Sequence, residues 1–126
     1  NHPVNWAMTQ NNLAIALKNQ GIRTAGEDGT RLLAEAVTAY HDALTIHTKD
    51  DHPVDWALTQ ENLAIAELAI ADHETTADPR PHVEAALAHV DAALTVFDPE
   101  HMSYNHAKAT DLRDRLRARL DALPAR

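Results

Sequence analysis

Histidine is the residue type whose abundance most suggests chemistry in this chain. Nine histidines and no cysteine occur among 126 residues, so any metal site would depend on imidazole and carboxylate ligands. Two ligands share one face of a helix when they are spaced as His-x-x-x-His or Glu-x-x-His, and neither spacing occurs. We therefore expect no metal site, with a histidine-based metal or pH sensor left as an alternative function because imidazole titrates near neutral pH. The histidines are His2, His41, His47, His52, His73, His82, His89, His101 and His106.

Signatures of enzymes are equally incomplete. The only serine, Ser103, lacks a Gly-x-Ser-x-Gly context. Gly21 and Gly26 have the spacing of a phosphate-binding loop, but two acidic residues follow where that loop requires lysine and then serine or threonine. His82 and Glu84 match the His-x-Glu of zinc deaminases, whose cysteine ligands are missing here. We predict a protein that is not an enzyme and that binds no cofactor.

The strongest pattern is an internal repeat. Residues 2–17 read HPVNWAMTQNNLAIAL and residues 52–67 read HPVDWALTQENLAIAE, so twelve of the sixteen positions are identical. Self-similarity at a fixed period is the signature of a repeat protein. The abundance of alanine and leucine, with only three glycines, favours helix. We predict an all-α fold with a single domain over residues 1–126, made of one repeat at 1–50, a second at 51–99 and a last helix.

Each repeat is expected to begin with a long helix. Pro3 suits the first helical position, where its missing N–H is not needed. Trp6, Leu13 and Leu17 fall on one face at helical spacing, which predicts a helix over residues 3–20 with that face buried.

A second helix should complete each hairpin. We expect Gly21 to end the first helix as a C-cap, a polar loop to reach Gly29, and Thr30 to cap a second helix that runs to about His47. The same plan recurs fifty residues later, where Pro53 opens a third helix and a fourth helix follows. The apolar stripes of the second and fourth helices correspond position by position: Leu33, Ala36, Val37, Tyr40, Ala43, Leu44 and Ile46, then Val83, Ala86, Leu87, Val90, Ala93, Leu94 and Val96.

The C-terminal segment looks like a degraded third copy. A fifth helix is predicted over residues 100–123, with Asp98 as its N-cap and Pro99 as its first residue. Four leucines form one narrow stripe among arginines, which favours a capping helix that closes a stack; a separate binding helix is the alternative. The leucines are Leu112, Leu116, Leu120 and Leu123.

Small and large residues recur at matching places in both hairpins. They are Leu13, Ala14, Leu17, Gly21, Ala36, Tyr40, Ala43 and Leu44 in the first copy, and Leu63, Ala64, Ala86, Val90, Ala93 and Leu94 in the second. This pattern resembles the tetratricopeptide repeat family, and the Pro-x-x-Trp-Ala-x-Thr-Gln-x-Asn-Leu run looks like a long-period bacterial subtype of it. The period of fifty departs from the usual value of about 34. Glu67, Ala71 and Val90 also depart, because they replace a large residue, a glycine and an aromatic residue.

The resemblance implies a short right-handed α-solenoid whose first helices line a concave, peptide-binding face. An asparagine at 12 and again at 62 could donate to and accept from a peptide backbone. The alternative is that these two residues tie neighbouring helices together. Lys18 is the only cation at these first-helix positions, so we expect no clamp for a terminal carboxylate. The candidate binding residues are Asn11, Asn12, Ile15, Lys18, Asn19, Glu61, Asn62, Ile65 and Leu68.

Charge limits the class of partner. A net charge of −8 disfavours nucleic acid and anionic membranes and favours a neutral or basic protein or peptide. No apolar run approaches the roughly 18 residues of a membrane span, and no signal segment is evident, so we expect a cytoplasmic protein. Because the sequence opens inside a repeat, further sequence upstream is left open.

The sequence therefore predicts a non-catalytic scaffold that binds a protein or peptide. We expect Trp6 and Trp56 to pack between the repeats, so that the two indoles form the centre of a shared apolar interface. Self-assembly into a homo-oligomer, through an exposed Trp6 or the last leucine stripe, is the alternative structural function. His2 and His52 should belong to the turns that enter each repeat, and the other histidines to solvated faces.

Overall fold

The computed structural model describes residues 2–125, which form five α-helices and no strand. This confirms the all-α class. Consecutive helices make the main contacts, and α1 also touches α3. Three residues join the first two helices, which makes them an antiparallel hairpin. The helices are α1 (Pro3–Ile22), α2 (Gly26–Leu44), α3 (Pro53–Asp72), α4 (Arg80–Leu94) and α5 (Ser103–Asp121).

Small residues, rather than the predicted stripe of large ones, form the seam inside each hairpin. Every seventh residue of α1 is small and buried, and the same three positions of α3 are buried alanines. Positions seven apart on a helix lie almost on one line, so a row of small side chains lets the partner helix approach closely. The row is Ala7, Ala14 and Gly21 in α1, and Ala57, Ala64 and Ala71 in α3.

Gly21 is not the C-cap that the sequence predicted. Helix α1 continues to Ile22, and Gly21 is buried within it. A Cβ built on Gly21 would lie 2.8 Å from Cγ of Leu33 and 3.0 Å from the carbonyl oxygen of Gly29. Glycine is therefore required here by the close approach of α2, and not by the end of a helix.

The junction between the two hairpins buries one face of α3, while the same face of α1 remains open. Leu63 and Ala66 are fully buried in a cluster with Ala36, Ala39 and Tyr40 of α2. Leu63 has no exposed surface, whereas its copy Leu13 is 48% exposed. We name the four exposed residues of the open face the outer face of α1: Thr9, Leu13, Ala16 and Gln20, whose copies Thr59, Leu63, Ala66 and Ile70 are buried.

The expectation that two indoles build this junction is wrong. Trp6 lies 41% exposed beside the outer face of α1. Trp56 is half-buried against the core of the second hairpin, with Nζ of Lys49 5.2 Å from its ring centroid. The two tryptophans therefore do not meet, and alanines and leucines supply the packing that the sequence assigned to them.

Two helix starts also differ from the sequence-based boundaries. Helix α2 begins at Gly26, whose φ of +76° favours glycine, so the loop is shorter than predicted and Thr30 lies inside the helix. Helix α5 begins at Ser103. Oδ1 of Asp98 accepts hydrogen bonds from the backbone N–H of Glu100 at 2.8 Å and His101 at 2.9 Å. Asp98 thus caps the preceding turn instead of the helix.

Helix α5 packs on α4 in the way that α3 packs on α2. Ala109, Leu112 and Leu116 are buried in one cluster with residues of α4. The positions of α5 that correspond to the seam row of α3 are instead exposed, and two of the three are acidic. They are Ala107, Asp114 and Asp121.

Candidate protein-binding surface

One side of the molecule combines residues from α1, α3 and α5, and we name it the first-helix surface. It carries a cavity between α1 and α3, a groove between the end of α1 with its following loop and the C-terminal half of α3, and a cleft between α3 and α5. These features include most of the binding residues predicted from the sequence. The predicted residues that line them are Asn11, Asn12, Glu61, Ile65 and Leu68.

The recurring asparagines are not tied to neighbouring helices. Among residues 2–125, no hydrogen-bond partner joins the side chain of Asn12, which is exposed, or that of Asn62, which is half-buried. The tie between helices is made one residue earlier, where Oγ1 of Thr59 donates to Oδ1 of Asn11 at 3.3 Å. The amide donors and acceptors of Asn12 and Asn62 are therefore available to another molecule.

Three charged side chains from three different helices lie close together on this surface. Nζ of Lys108 in α5 is 3.7 Å from Oε1 of Glu61 in α3, and Glu61 is only 3% exposed. The pKa of Lys18 in α1 is lowered, chiefly by burial and then by the positive charge of Lys108, while the carboxylate of Glu61 opposes the change. Glu61 thus acts as a counter-charge near two lysines.

The groove has an apolar floor and charged ends. Its volume is about 590 Å³, and Ile22, Ile65, Leu68 and Ala69 supply its apolar lining. Arg119 of α5 donates to Oδ1 of Asp72 at 2.9 Å beside it. The backbone N–H of Gly26 donates to Oε1 of Glu74 at 2.9 Å, so this loop acid is also paired within the chain. Apolar side chains of a bound segment would therefore contact the apolar floor of the groove. Most of the charged side chains beside this floor already have partners within the chain.

The remaining candidates contribute differently. Ile15 is half-buried and packs against the cluster at the hairpin junction, so it supports the surface from below. Asn19 is exposed on α1. The four candidates that line neither the cavity, the groove nor the cleft are Ile15, Lys18, Asn19 and Asn62.

Sequence reasoning missed the contribution of α5 to this surface. Lys108, Asp111 and Arg115 line the cleft with Glu61 and Ile65. The signal was present in the fifty-residue register, because Ser103 stands where Pro53 opens α3 and the following residues then align with those of α3. The sequence indicates a degraded third copy, but the loss of the Thr-Gln-x-Asn-Leu run favours a capping helix over a contribution to the surface.

The structure places several of the histidines in distinct environments. The carbonyls of His2 and His52 accept from the N–H of Trp6 and Trp56 at 3.0 Å and 2.8 Å, which confirms their place in the entry turns. The expectation that the others lie on solvated faces is wrong for His47, which is 3% exposed.

Two further histidines, His82 and His89, join α4 to α3. Nδ1 of His82 is 2.9 Å from Oε1 of Glu67, and Nδ1 of His89 donates to Oε1 of Gln60 at 2.7 Å. Burial, followed by the nearby His41, lowers the pKa of His89, and Glu67 opposes this shift. The described residues contain no group of three histidines, aspartates or glutamates that could hold a metal ion.

No family model, curated protein or solved structure matches this chain. None of the described helices is both long and apolar enough to cross a membrane.

Proposed function

We propose that this chain is a non-catalytic module of tetratricopeptide-like hairpins that binds a protein or peptide segment on its first-helix surface. The hairpins form the stacked frame, and α1, α3 and α5 supply the contacts. A frame that is already ordered binds an extended or helical segment at a low entropic cost, because only the ligand must be immobilised. The net charge of −8 favours a neutral or basic segment.

The unpaired amides of Asn12 and Asn62 carry this proposal. Asn12 lines the cavity between α1 and α3, and Asn62 recurs fifty residues later on α3. Of their neighbours, Asn11 accepts from Thr59 and Oε1 of Glu61 lies 3.7 Å from Nζ of Lys108. A carboxamide can both donate to and accept from a peptide backbone. Ligand sites commonly combine an apolar lining with a few polar groups that fix the orientation of the ligand.

The test uses peptides selected from a random displayed library against the intact chain. Replacing both asparagines, Asn12→Ala with Asn62→Ala, should weaken binding of the selected peptides by about tenfold or more. A tenfold loss corresponds to roughly 1.4 kcal/mol, which is the size expected from lost hydrogen bonds. The melting temperature should hardly change, because neither side chain is paired within the chain. The control is Glu35→Ala with Asp91→Ala, two exposed sites on α2 and α4. Equal binding by both double variants would refute the proposed surface.

Self-association is a second candidate, favoured by the outer face of α1. The copy of this face on α3 is covered by the Ala36, Ala39 and Tyr40 stripe of α2, while Leu13 stays exposed. The open face therefore fits a helix that carries such an alanine and tyrosine stripe. Light scattering over a dilution series decides this candidate, since a monomer at all concentrations rejects it.

A further inference from the structure

Helix α1 exposes an uncharged stripe that runs along most of its length. Trp6 extends the outer face of α1 by one turn, so that exposed residues follow one another at spacings of three and four. Lys18 is the only charged residue of α1 and is half-buried, although 24% of all residues in the chain are charged. Depletion of charge is typical of the centre of a protein interface. We name these residues the α1 stripe: Trp6, Thr9, Leu13, Ala16 and Gln20.

The two polar members of the α1 stripe are compatible with a contact surface. Oγ1 of Thr9 donates to the carbonyl oxygen of Asn5 at 3.0 Å, so a helix that covers Thr9 leaves no unpaired hydroxyl proton. Gln20 lies in the last turn of α1. It therefore falls at the rim of the stripe, where interfaces are commonly polar.

The internal repeat shows which kind of helix covers the same positions of α3. Leu63 and Ala66, the copies of Leu13 and Ala16, are fully buried. They lie in one cluster with three residues of α2, which are Ala36, Ala39 and Tyr40. These three residues are spaced i, i+3 and i+4, so two small side chains and one aromatic ring share one face of the covering helix. The chain thus contains its own example of a helix that fits this face.

A second folded copy of the chain has no such helix face to offer. The three covering residues of α2 are at most 5% exposed, because α3 packs on them. The corresponding Ala86 and Val90 of α4 are fully buried in one cluster with Leu112 and Leu116 of α5. Both faces of this kind are therefore occupied within the chain. A helix that covers the α1 stripe in the same way comes from a different polypeptide.

We propose that the α1 stripe docks an amphipathic helix of another protein. The docked helix carries two small residues and an aromatic residue at i, i+3 and i+4, with no charge on that face. Because both contact faces are uncharged, binding should depend little on salt. The α1 stripe contains none of the residues that line the first-helix surface, so this inference does not rest on the proposed function.

The probe is a peptide of residues 26–47, which comprises α2 and the turn after it. Trp6 reports docking, because it belongs to the α1 stripe and is 41% exposed. Trp56→Phe removes the other tryptophan of the chain and leaves Trp6 as the only indole. The peptide should shift the emission of Trp6 to shorter wavelength in a saturable manner. An isolated helix of this length is only partly formed in water, so the titration extends to millimolar peptide. Unchanged emission over this range would overturn the proposal.

Two variant peptides test the chemistry of the docked helix. Ala39→Glu places a carboxylate on the covering face and should weaken binding at least tenfold. Ala34→Glu makes the same change at a site that is exposed on α2, and it should bind like the unchanged peptide. Equal binding of the two variant peptides would contradict the proposed contact face.

Two variants of the chain, both made in the Trp56→Phe background, locate the contact. Ala16→Glu adds a charge to the α1 stripe and should abolish the emission response. Ala88→Glu makes the same change at an exposed site of α4 and should keep the response. Both sites are exposed, so neither variant should unfold the chain. Equal responses would mean that the peptide binds elsewhere, for example in place of the chain's own α2, and the assignment to α1 would be wrong.

Two further measurements separate this inference from the other candidates. If concentrating the chain alone shifts Trp6 emission and raises the mass in light scattering, the occupant is a second copy and the proposal is overturned. The affinity for the peptide should change by less than about twofold between low and high salt. A large loss at high salt would indicate a charged contact and contradict an uncharged stripe.

Discussion

Leu13 and Leu63 occupy the same position in two nearly identical helices, yet Leu63 is completely buried and Leu13 is 48% exposed. The difference arises because α2 covers Leu63 and no described helix covers Leu13. Two nearly identical segments therefore contribute differently to the stability of the fold, because their positions in the stack differ.

The first prediction follows from this pair. Leu63→Ala should lower the free energy of unfolding by about 2–5 kcal/mol, because it removes buried methyl groups and leaves a cavity. Leu13→Ala makes the same chemical change at an exposed site and should alter it by no more than about 0.5 kcal/mol. Urea unfolding followed by circular dichroism measures both. Similar losses for the two variants would show that Leu13 is buried in solution, by self-association or otherwise.

Gly21 gives a second prediction, in which packing opposes helix propensity. Alanine in a helix interior is favoured over glycine by about 1 kcal/mol. Gly21→Ala should nevertheless destabilise the protein by about 1–3 kcal/mol, because its Cβ would come within 2.8 Å of Cγ of Leu33. The second hairpin combines Ala71 with the smaller Val83 at the equivalent positions.

The second hairpin therefore supplies a control for Gly21→Ala. Gly21→Ala with Leu33→Val reproduces the combination of the second hairpin and should recover part of the lost stability. Thermal unfolding of the single and double variants measures the recovery. A gain of about 1 kcal/mol for Gly21→Ala alone would show that the close approach of α2 is absent.

Sequence reasoning succeeded where local chemistry decides the structure. Pro3 and Pro53 mark the first residues of α1 and α3, as expected for proline at a helix start. It failed where the burial of a side chain or the end of a helix depends on packing against a neighbouring helix. The recurrence of tryptophan at equivalent places predicts packing between repeats for Trp6, and glycine at the end of a helical pattern predicts a C-cap at Gly21, but the structure shows neither. The residue type alone does not show which face of a helix packs against a neighbouring helix.

The candidate surface was predictable to a similar degree. The repeat register identified Asn12 and Asn62 as equivalent, and the structure leaves both side chains without a partner among the described residues. The place of Lys108 and the cavity between α1 and α3 were not predicted. Both depend on side chains that are far apart in sequence and meet only in the fold.

His89 predicts a dependence of stability on pH. Its pKa in the folded state is lowered by burial and by His41, so the unfolded chain binds more protons as the pH falls below about 6.5. The free energy of unfolding should therefore be highest above that pH, decline as the pH falls, and level off below the lowered pKa. Urea unfolding between pH 7.5 and pH 5 measures this decline. His89→Gln should reduce it, while His101→Gln should not; identical curves for native chain and His89→Gln would exclude His89 as a source.

The closeness of Lys18, Glu61 and Lys108 predicts that two variants shift the pKa of Lys18 in opposite directions. Lys108→Met removes a repelling charge, so the pKa of Lys18 should rise towards its ordinary value. Glu61→Asn, which introduces the residue found at position 11, removes an attracting charge and should lower that pKa further. Titration of the ¹³Cε signal of Lys18 measures both shifts. Two shifts in the same direction would show that these side chains are not close in solution.

If α1, α3 and α5 form one binding surface, a bound segment should contact all three helices. Backbone amide shifts of the intact chain, recorded while a library-selected peptide is added, test this claim directly. We expect the largest changes around Asn12, Ile65 and Lys108, with little change along the exposed faces of α2 and α4. Changes concentrated around Glu35 and Asp91 on those second helices would place the partner elsewhere and contradict the proposed function.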